Sequence, residues 1–169
     1  MTANDLVLTR MGIRFQNRLI PCSIGRGGIT TDKHEGDGAT PAGRHRITGL
    51  YYRPDRLPAP APWAIPIGPF DLWSDDINDP AYNHHVRKPH PFSHESMRRA
   101  DPLYDMVLIT DWNWPRAIPG KGSAIFLHIW RKPHHPTEGC VAFSRENLHR
   151  IIQHITPNET CLIIPDLCS

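Results

Sequence analysis

Eighteen prolines in 169 residues leave few stretches free for a helix. A proline inside a helix removes a backbone hydrogen bond and clashes with the preceding turn. One amphipathic stripe survives: Leu148, Ile151, Ile152 and Ile155 fall at i, i+3, i+4 and i+7. Ser144 is a suitable N-cap before it and Pro157 a stop after it. Elsewhere the apolar runs are short and bounded by turn residues, which predicts strands. These are Leu6-Val7-Leu8, Met106-Val107-Leu108-Ile109-Thr110, Ala124-Ile125-Phe126-Leu127 and Cys161-Leu162-Ile163-Ile164, with a further strand at residues 45–48. The chain is therefore expected to be mostly β, with one main docked helix and long loops.

Residues 13–16 and 18–20 flank Asn17 and read as a hairpin. Residues 33–43 read as loop throughout, with glycines that permit positive φ and a proline that fixes its own. Residues 53–62 carry four prolines and read as extended loop. Residues 71–100 lack clean periodicity and are expected to be a long functional loop, with a short helix opening at 93–99. Residues 118–122 are a turn. No internal repeat is visible, and a chain of this length makes a single domain over 1–169 with one real core.

The formal charge is +2, and the basic residues are scattered, so nucleic acid is not an expected partner. No run approaches the roughly 18 apolar residues that span a membrane. The N-terminus has no basic stretch followed by a long apolar one, so no signal peptide is read. The four cysteines, Cys22, Cys140, Cys161 and Cys168, include no CxxC pair, which argues against a zinc ribbon or a thioredoxin motif and leaves disulfides open. Eleven histidines raise the question of a metal. His84, His85, His90, His94, His128, His134 and His135 are the ligands such a module would use, but no HExxH spacing supports a formed site. No metal or other cofactor is expected, nor any oligomer.

The chemistry concentrates near residue 140. An apolar run delivers His128, a turn-rich loop follows, and Thr137-Glu138-Gly139-Cys140 leads toward the predicted helix. A free thiol has a pKa near ~8.5 and is a weak nucleophile until a base takes its proton. An adjacent imidazole can do so and form an ion pair, and a helix start would add positive potential. Gly139 lets a substrate approach the backbone, and the amides of Gly139 and Cys140 can donate to a developing oxyanion. Those features suit acyl transfer through a thioester. A buried structural cysteine beside a core histidine has the same spacing, so spacing alone leaves both readings open.

Two blocks carry a resemblance: Gly122-Ser123-Ala124-Ile125-Phe126-Leu127-His128, and Pro136-Thr137-Glu138-Gly139-Cys140-Val141-Ala142. With Glu35-Gly36-Asp37-Gly38-Ala39-Thr40-Pro41-Ala42-Gly43, Tyr82-Asn83, residues 101–105 and Asp111-Trp112-Asn113, the chain resembles the YkuD-like L,D-transpeptidases over nearly its whole length. The resemblance implies a YkuD-like β-sandwich catalytic domain that remodels peptidoglycan. By carry-over Cys140 is the nucleophile and His128 the base. The main-chain carbonyl of Ile129 orients His128, and Gly139 precedes the nucleophile. The implied partners are peptidoglycan stem peptides, one as donor and one as acceptor through a diaminopimelate side-chain amine. The implied compartment is the periplasm, with the cytoplasm as alternative.

Three features depart from the family's usual pattern. Glu138 stands where many members have His, Ala142 where many have Arg or Asn, and the 128–137 loop is short. An absent arginine is an absent carboxylate clamp. The family's 3–3 cross-links are one expected product, and 1–3 cross-links from an L-Ala donor are the alternative these departures suggest. An L,D-carboxypeptidase or amidase would hydrolyse the same thioester. Expected substrate-side residues are Thr137, Glu138, Tyr82, Asn83, His85, Arg131 and His134, with His135 and Lys132 as further candidates. Asn83 reads equally as a structural hydrogen-bonding residue. Trp112, Trp114 and Trp130 read as cleft wall or as core.

Overall fold

The structure, a computed structural model, describes residues 4–166. Its elements in chain order are β1 (Leu6–Thr9), β2 (Gly12–Phe15), β3 (Arg18–Ile20), β4 (Ile29–Thr30), β5 (Thr40–Pro41), β6 (Gly43–Tyr52) and β7 (Ile65–Pro66). There follow β8 (Asp71–Ser74), β9 (His85–Arg87), β10 (His94–Ser96), β11 (Met106–Thr110), β12 (Phe126–Ile129), β13 (Val141–Phe143), α1 (Arg145–Ile152) and β14 (Cys161–Ile164). The β2–β3 hairpin turns on Gln16 and Asn17, both at positive φ, the geometry a two-residue hairpin needs.

The main sheet runs β13-β12-β11-β6-β14-β1-β2-β3, and β7 pairs with β6. Strand β6 is the hinge of a curled sandwich. Its first residues, Gly43 to Arg46, pair with β14, and Ile47 to Tyr52 pair with β11, with a register shift at Ile109/Thr110. One core therefore lies between two halves of a single sheet. It holds Leu6, Ile13 and Leu162 from one half and Leu50, Leu108 and Leu127 from the other, sealed by Leu148, Ile151 and Ile152 of α1. Burying one such side chain contributes about 1.5–3 kcal/mol.

Both faces of β11 and β12 are buried, and their residues alternate between two cores. Met106, Leu108, Leu127 and Ile129 enter the first core, while Val107, Ile109 and Phe126 enter a second one with Trp73, Met97 and Tyr104. That second core decides the fate of residues 71–100. They are not an irregular loop: β10-β8-β9 form a small antiparallel sheet. The helix expected at 93–99 is instead β10, because pairing with Leu72, Trp73 and Ser74 and burial of Met97 override the local propensity.

Helix α1 begins as expected, with the Ser144 hydroxyl accepting from Asn147 N at 3.2 Å. It ends at Ile152, one turn before the expected stop. Asn158 N bonds to the Ile47 carbonyl and draws the chain onto β6, while Ile155 stays in the core outside the helix. Cys140 does not stand at a helix start either. Strand β13 intervenes, so the helix N-terminus adds no potential at the sulfur, since that effect fades within a turn.

Candidate active site

Strands β12 and β13 run parallel, with Leu127 opposite Val141 and His128 opposite Ala142. Val141 and Phe143 point into the first core. Alternation then sends Cys140 and Ala142 to the other face, the one that carries Phe126 and His128. Cys140 packs there against the second core. The pairing of these two strands thus places a thiol and an imidazole on one face, although they lie twelve positions apart in sequence.

His128 is buried, and its Nδ1 lies 2.8 Å from the Ile129 carbonyl. A carbonyl only accepts, so Nδ1 carries the proton and Nε2 is left as an acceptor. The ring of Tyr104 packs edge-on against the imidazole at 5.4 Å. Tyr104 in turn donates to Glu95 Oε2 (2.8 Å) and lies 5.1 Å beneath the Arg99 guanidinium. Arg99 holds Asp101 through two bonds of 2.9 and 2.8 Å. Behind the histidine, Ile129 N donates to the Leu103 carbonyl.

The Cys140 thiol donates to the Ala124 carbonyl at 3.1 Å and receives Phe126 N–H at 3.4 Å. Burial pushes the thiol up to about 12, opposed by the Phe126 amide. Burial also lowers His128 to about 4, partly offset by the Ile129 bond. The resting pair is therefore a neutral thiol and a neutral imidazole, not the ion pair the spacing suggested. Thr137 Oγ1 donates to the Cys140 carbonyl (2.6 Å) and accepts from Gly139 N (3.2 Å).

Both residues open on a cavity of about 350 Å³. Its lining also includes Glu35, Asp75, Glu95, Arg99 and Tyr104, together with Trp130, Arg131, His135, Thr137 and Glu138. A cleft of this size with a thiol and an imidazole in its lining has the room and the groups to hold a peptide and form a thioester from it. A family model for the L,D-transpeptidase catalytic domain, YkuD, matches residues 5–164. The chain belongs to the YkuD family. Comparisons with curated proteins and with solved structures give no match. A YkuD domain is an L,D-transpeptidase-type enzyme domain, and its family implies peptidoglycan substrates.

Within this YkuD domain the residues singled out in the sequence separate into groups. Cys140, His128, Thr137, Glu138 and Arg131 line the cleft. Glu138 pairs with Arg26 at 2.9 Å on the exposed rim, a contact worth at most about 1 kcal/mol. His134 is exposed and outside the lining, where His135 stands instead. His85 lies elsewhere, stacked on Tyr51 at 5.8 Å and 3.2 Å from Asp71. Tyr82 is buried and donates to Glu35, which does reach the cleft. Trp130 lines the cleft; Trp112 packs edge-on against His45. Among the described residues no three His, Cys, Asp or Glu are grouped to hold a metal, and no helix is long and apolar enough to cross a membrane. Cys22, Cys140 and Cys161 are free thiols, and Cys168 lies outside the described residues.

Asn83 is buried behind the cleft with both ends of its amide bonded. Its Oδ1 accepts from Ala124 N (2.9 Å) and Trp73 Nε1 (3.0 Å), and its Nδ2 donates to the carbonyls of Trp112 and Asn113. It thereby fixes Ala124, the residue that holds the thiol. Each buried partner left unsatisfied costs about 1–3 kcal/mol. Asn83→Ala should destabilise the domain by roughly 3 kcal/mol, a Tm loss of about 6–12 °C by calorimetry. A Tm within about 2 °C of wild type would remove Asn83 from this role.

Sequence reasoning missed Glu95, Arg99 and Tyr104. They lie in or beside the aperiodic 71–100 segment: the pairing of β10 with β8 places Glu95, and Glu95 bonds Arg99 and Tyr104, the residue that packs on the histidine.

Proposed function

We propose that the chain is one catalytic domain that cross-links peptidoglycan by acyl transfer through a Cys140 thioester. The observation that carries this reading is the placement of Cys140, just ahead of β13, and His128, on the neighbouring β12, at one cleft, with His128 Nε2 left as the acceptor. The thiol proton passes to Nε2 as the sulfur attacks the carbonyl carbon of a stem-peptide residue. A C–S bond forms and the carbonyl oxygen takes the electron pair. Collapse expels the amine of the next residue, which receives the proton from the imidazolium. An acceptor amine, from a diaminopimelate side chain, then attacks the thioester. Its proton passes through His128 to the departing sulfur. The Ile129 carbonyl keeps the imidazole in the working tautomer throughout. One chain supplies both groups, so a monomer suffices.

The Gly139 amide is turned to Thr137, which leaves the Cys140 N–H as the main-chain donor for the oxyanion. Ala142 sits opposite His128 on the same strand face and offers no guanidinium to a donor carboxylate. On that ground the donor is L-Ala at stem position one, and the product a 1–3 cross-link. The substrate lies outside the inner membrane, which places the enzyme in the periplasm.

The test is mass spectrometry of muropeptides incubated with the enzyme, with and without an amine acceptor. We expect 1–3 dimers that require the acceptor. Only 3–3 dimers would overturn the donor assignment. Shortened stems without dimers in the presence of the acceptor would overturn transfer in favour of hydrolysis.

A further inference from the structure

The motif Thr40-Pro41-Ala42-Gly43 lies outside the cleft, a hundred residues before the nucleophile. Thr40 is fully buried. Its Oγ1 accepts from Gly25 N at 2.9 Å and reaches the Gly139 carbonyl at 2.9 Å. A hydroxyl has one proton, and Gly25 N–H supplies its own, so the Thr40 proton must go to Gly139 O. That bond grips the peptide unit joining Gly139 to Cys140.

A peptide unit is planar and trans, so its C=O and N–H point in opposite directions. Holding the Gly139 oxygen against Thr40 turns the Cys140 N–H away from the 38–40 loop. The grip is tight. Gly139 sits at φ +136, and a Cβ there would lie 2.8 Å from Ala39 O. A Cβ on Gly25 would lie 3.0 Å from the Gly139 Cα. Thr40 itself is fixed from behind, because Thr40 N donates to Gly28 O and Ala42 N to Thr30 O, both at 2.8 Å. Asp37 stiffens the approach by accepting from His34 N (2.8 Å), Ala39 N (2.8 Å) and Lys33 Nζ (2.5 Å).

We propose that Thr40 is a positioning residue for acylation: its hydroxyl aims the Cys140 N–H at the oxygen of the carbonyl under attack. The inference rests on the reading of Cys140 as the acyl-accepting nucleophile. It makes Thr40 matter only where an oxyanion develops. Attack on a carbonyl creates one; alkylation of the same sulfur by iodoacetamide, a displacement at saturated carbon, does not.

The experiment compares the two reactions in Thr40→Val, which keeps the shape and removes the hydroxyl, and in Thr40→Ser, which restores it. Acylation is followed with p-nitrophenyl acetate and with muropeptide, alkylation with iodoacetamide, both read at Cys140 by mass spectrometry. Loss of a single oxyanion donor costs about 100- to 1,000-fold, and a misaimed one less. We expect Thr40→Val to acylate roughly 10- to 100-fold more slowly with KM little changed. Its alkylation should stay within about 2-fold of wild type, and Thr40→Ser should recover most of the lost rate. If the valine variant does not fold, Thr40→Ala, which places no methyl against the two backbone groups, is read in the same way. Parallel loss of both reactions, or loss of neither, overturns the inference. Thr40-dependent acylation by the ester in an enzyme inert toward muropeptides would sink the peptidoglycan reading and leave Thr40 in its role. A wild type that is alkylated but never acylated sinks both.

Discussion

Cys140→Ala is expected to leave no detectable muropeptide product while preserving the fold. The thioester needs sulfur, and among the described residues the cleft lining holds no second thiol: Cys161 stands in β14, Cys22 follows β3, and neither lines the cavity. The structural cost is small. The substitution removes the thiol's bond to the Ala124 carbonyl and the Phe126 N–H contact on the sulfur. Sulfur is a weak donor and acceptor, so about 1 kcal/mol is lost, or about 2–4 °C in Tm. Circular dichroism and calorimetry check the fold, and mass spectrometry checks the product. Substantial turnover would refute the nucleophile assignment. Loss of the fold would show that the sulfur is structural, the competing reading that spacing alone left open.

His128→Ala is expected to slow acylation by about 100- to 10,000-fold, the range for removing a general base. The pH profile makes the assignment specific. Only neutral His128 can take the thiol proton, so activity falls as pH drops through its folded pKa. Burial lowers that value to about 4, so the acid limb of kcat/KM lies near 4 and not near the usual 6.5. An acid limb at 6–7, the range of an ordinary solvated imidazole, would remove His128 as the base. Linkage has a definite sign here. The folded pKa lies below the unfolded one, so burying the neutral ring stabilises the domain above pH 6.5. That contribution is lost as pH falls toward 4, and a fall from 6.5 to about 4 corresponds to ~3 kcal/mol. The alanine variant lacks this dependence, so its Tm should fall less than that of wild type between pH 7 and 4.

Much of the architecture was legible in local patterns. The strands at 6–8, 106–110 and 161–164, the hairpin at Asn17 and the Ser144 cap each stand on residues a few positions apart. Where the pattern misled, a distant partner decided. Residues 94–96 have no strand signature of their own and become β10 by pairing with β8. The helix stops at Ile152 because Asn158 is drawn to Ile47, over a hundred residues away in sequence.

The sequence by itself determined that the chain is mostly β with one docked helix. Its Gly-Cys and His blocks also singled out residues 140 and 128, because a reactive thiol needs a base and a glycine beside it. Tertiary structure alone decided the state and surroundings of that pair. The strand alternation that puts sulfur and imidazole on one face also buries them, and burial disfavours charge on either group. Neutral Cys140 and neutral His128 follow from that desolvation, which no local pattern encodes. The Thr40 bond to Gly139 is equally out of reach of local reading, since it joins residues 99 apart in the chain. Such a contact exists only once the sheet has curled and the 38–40 loop lies against the turn that carries the cysteine.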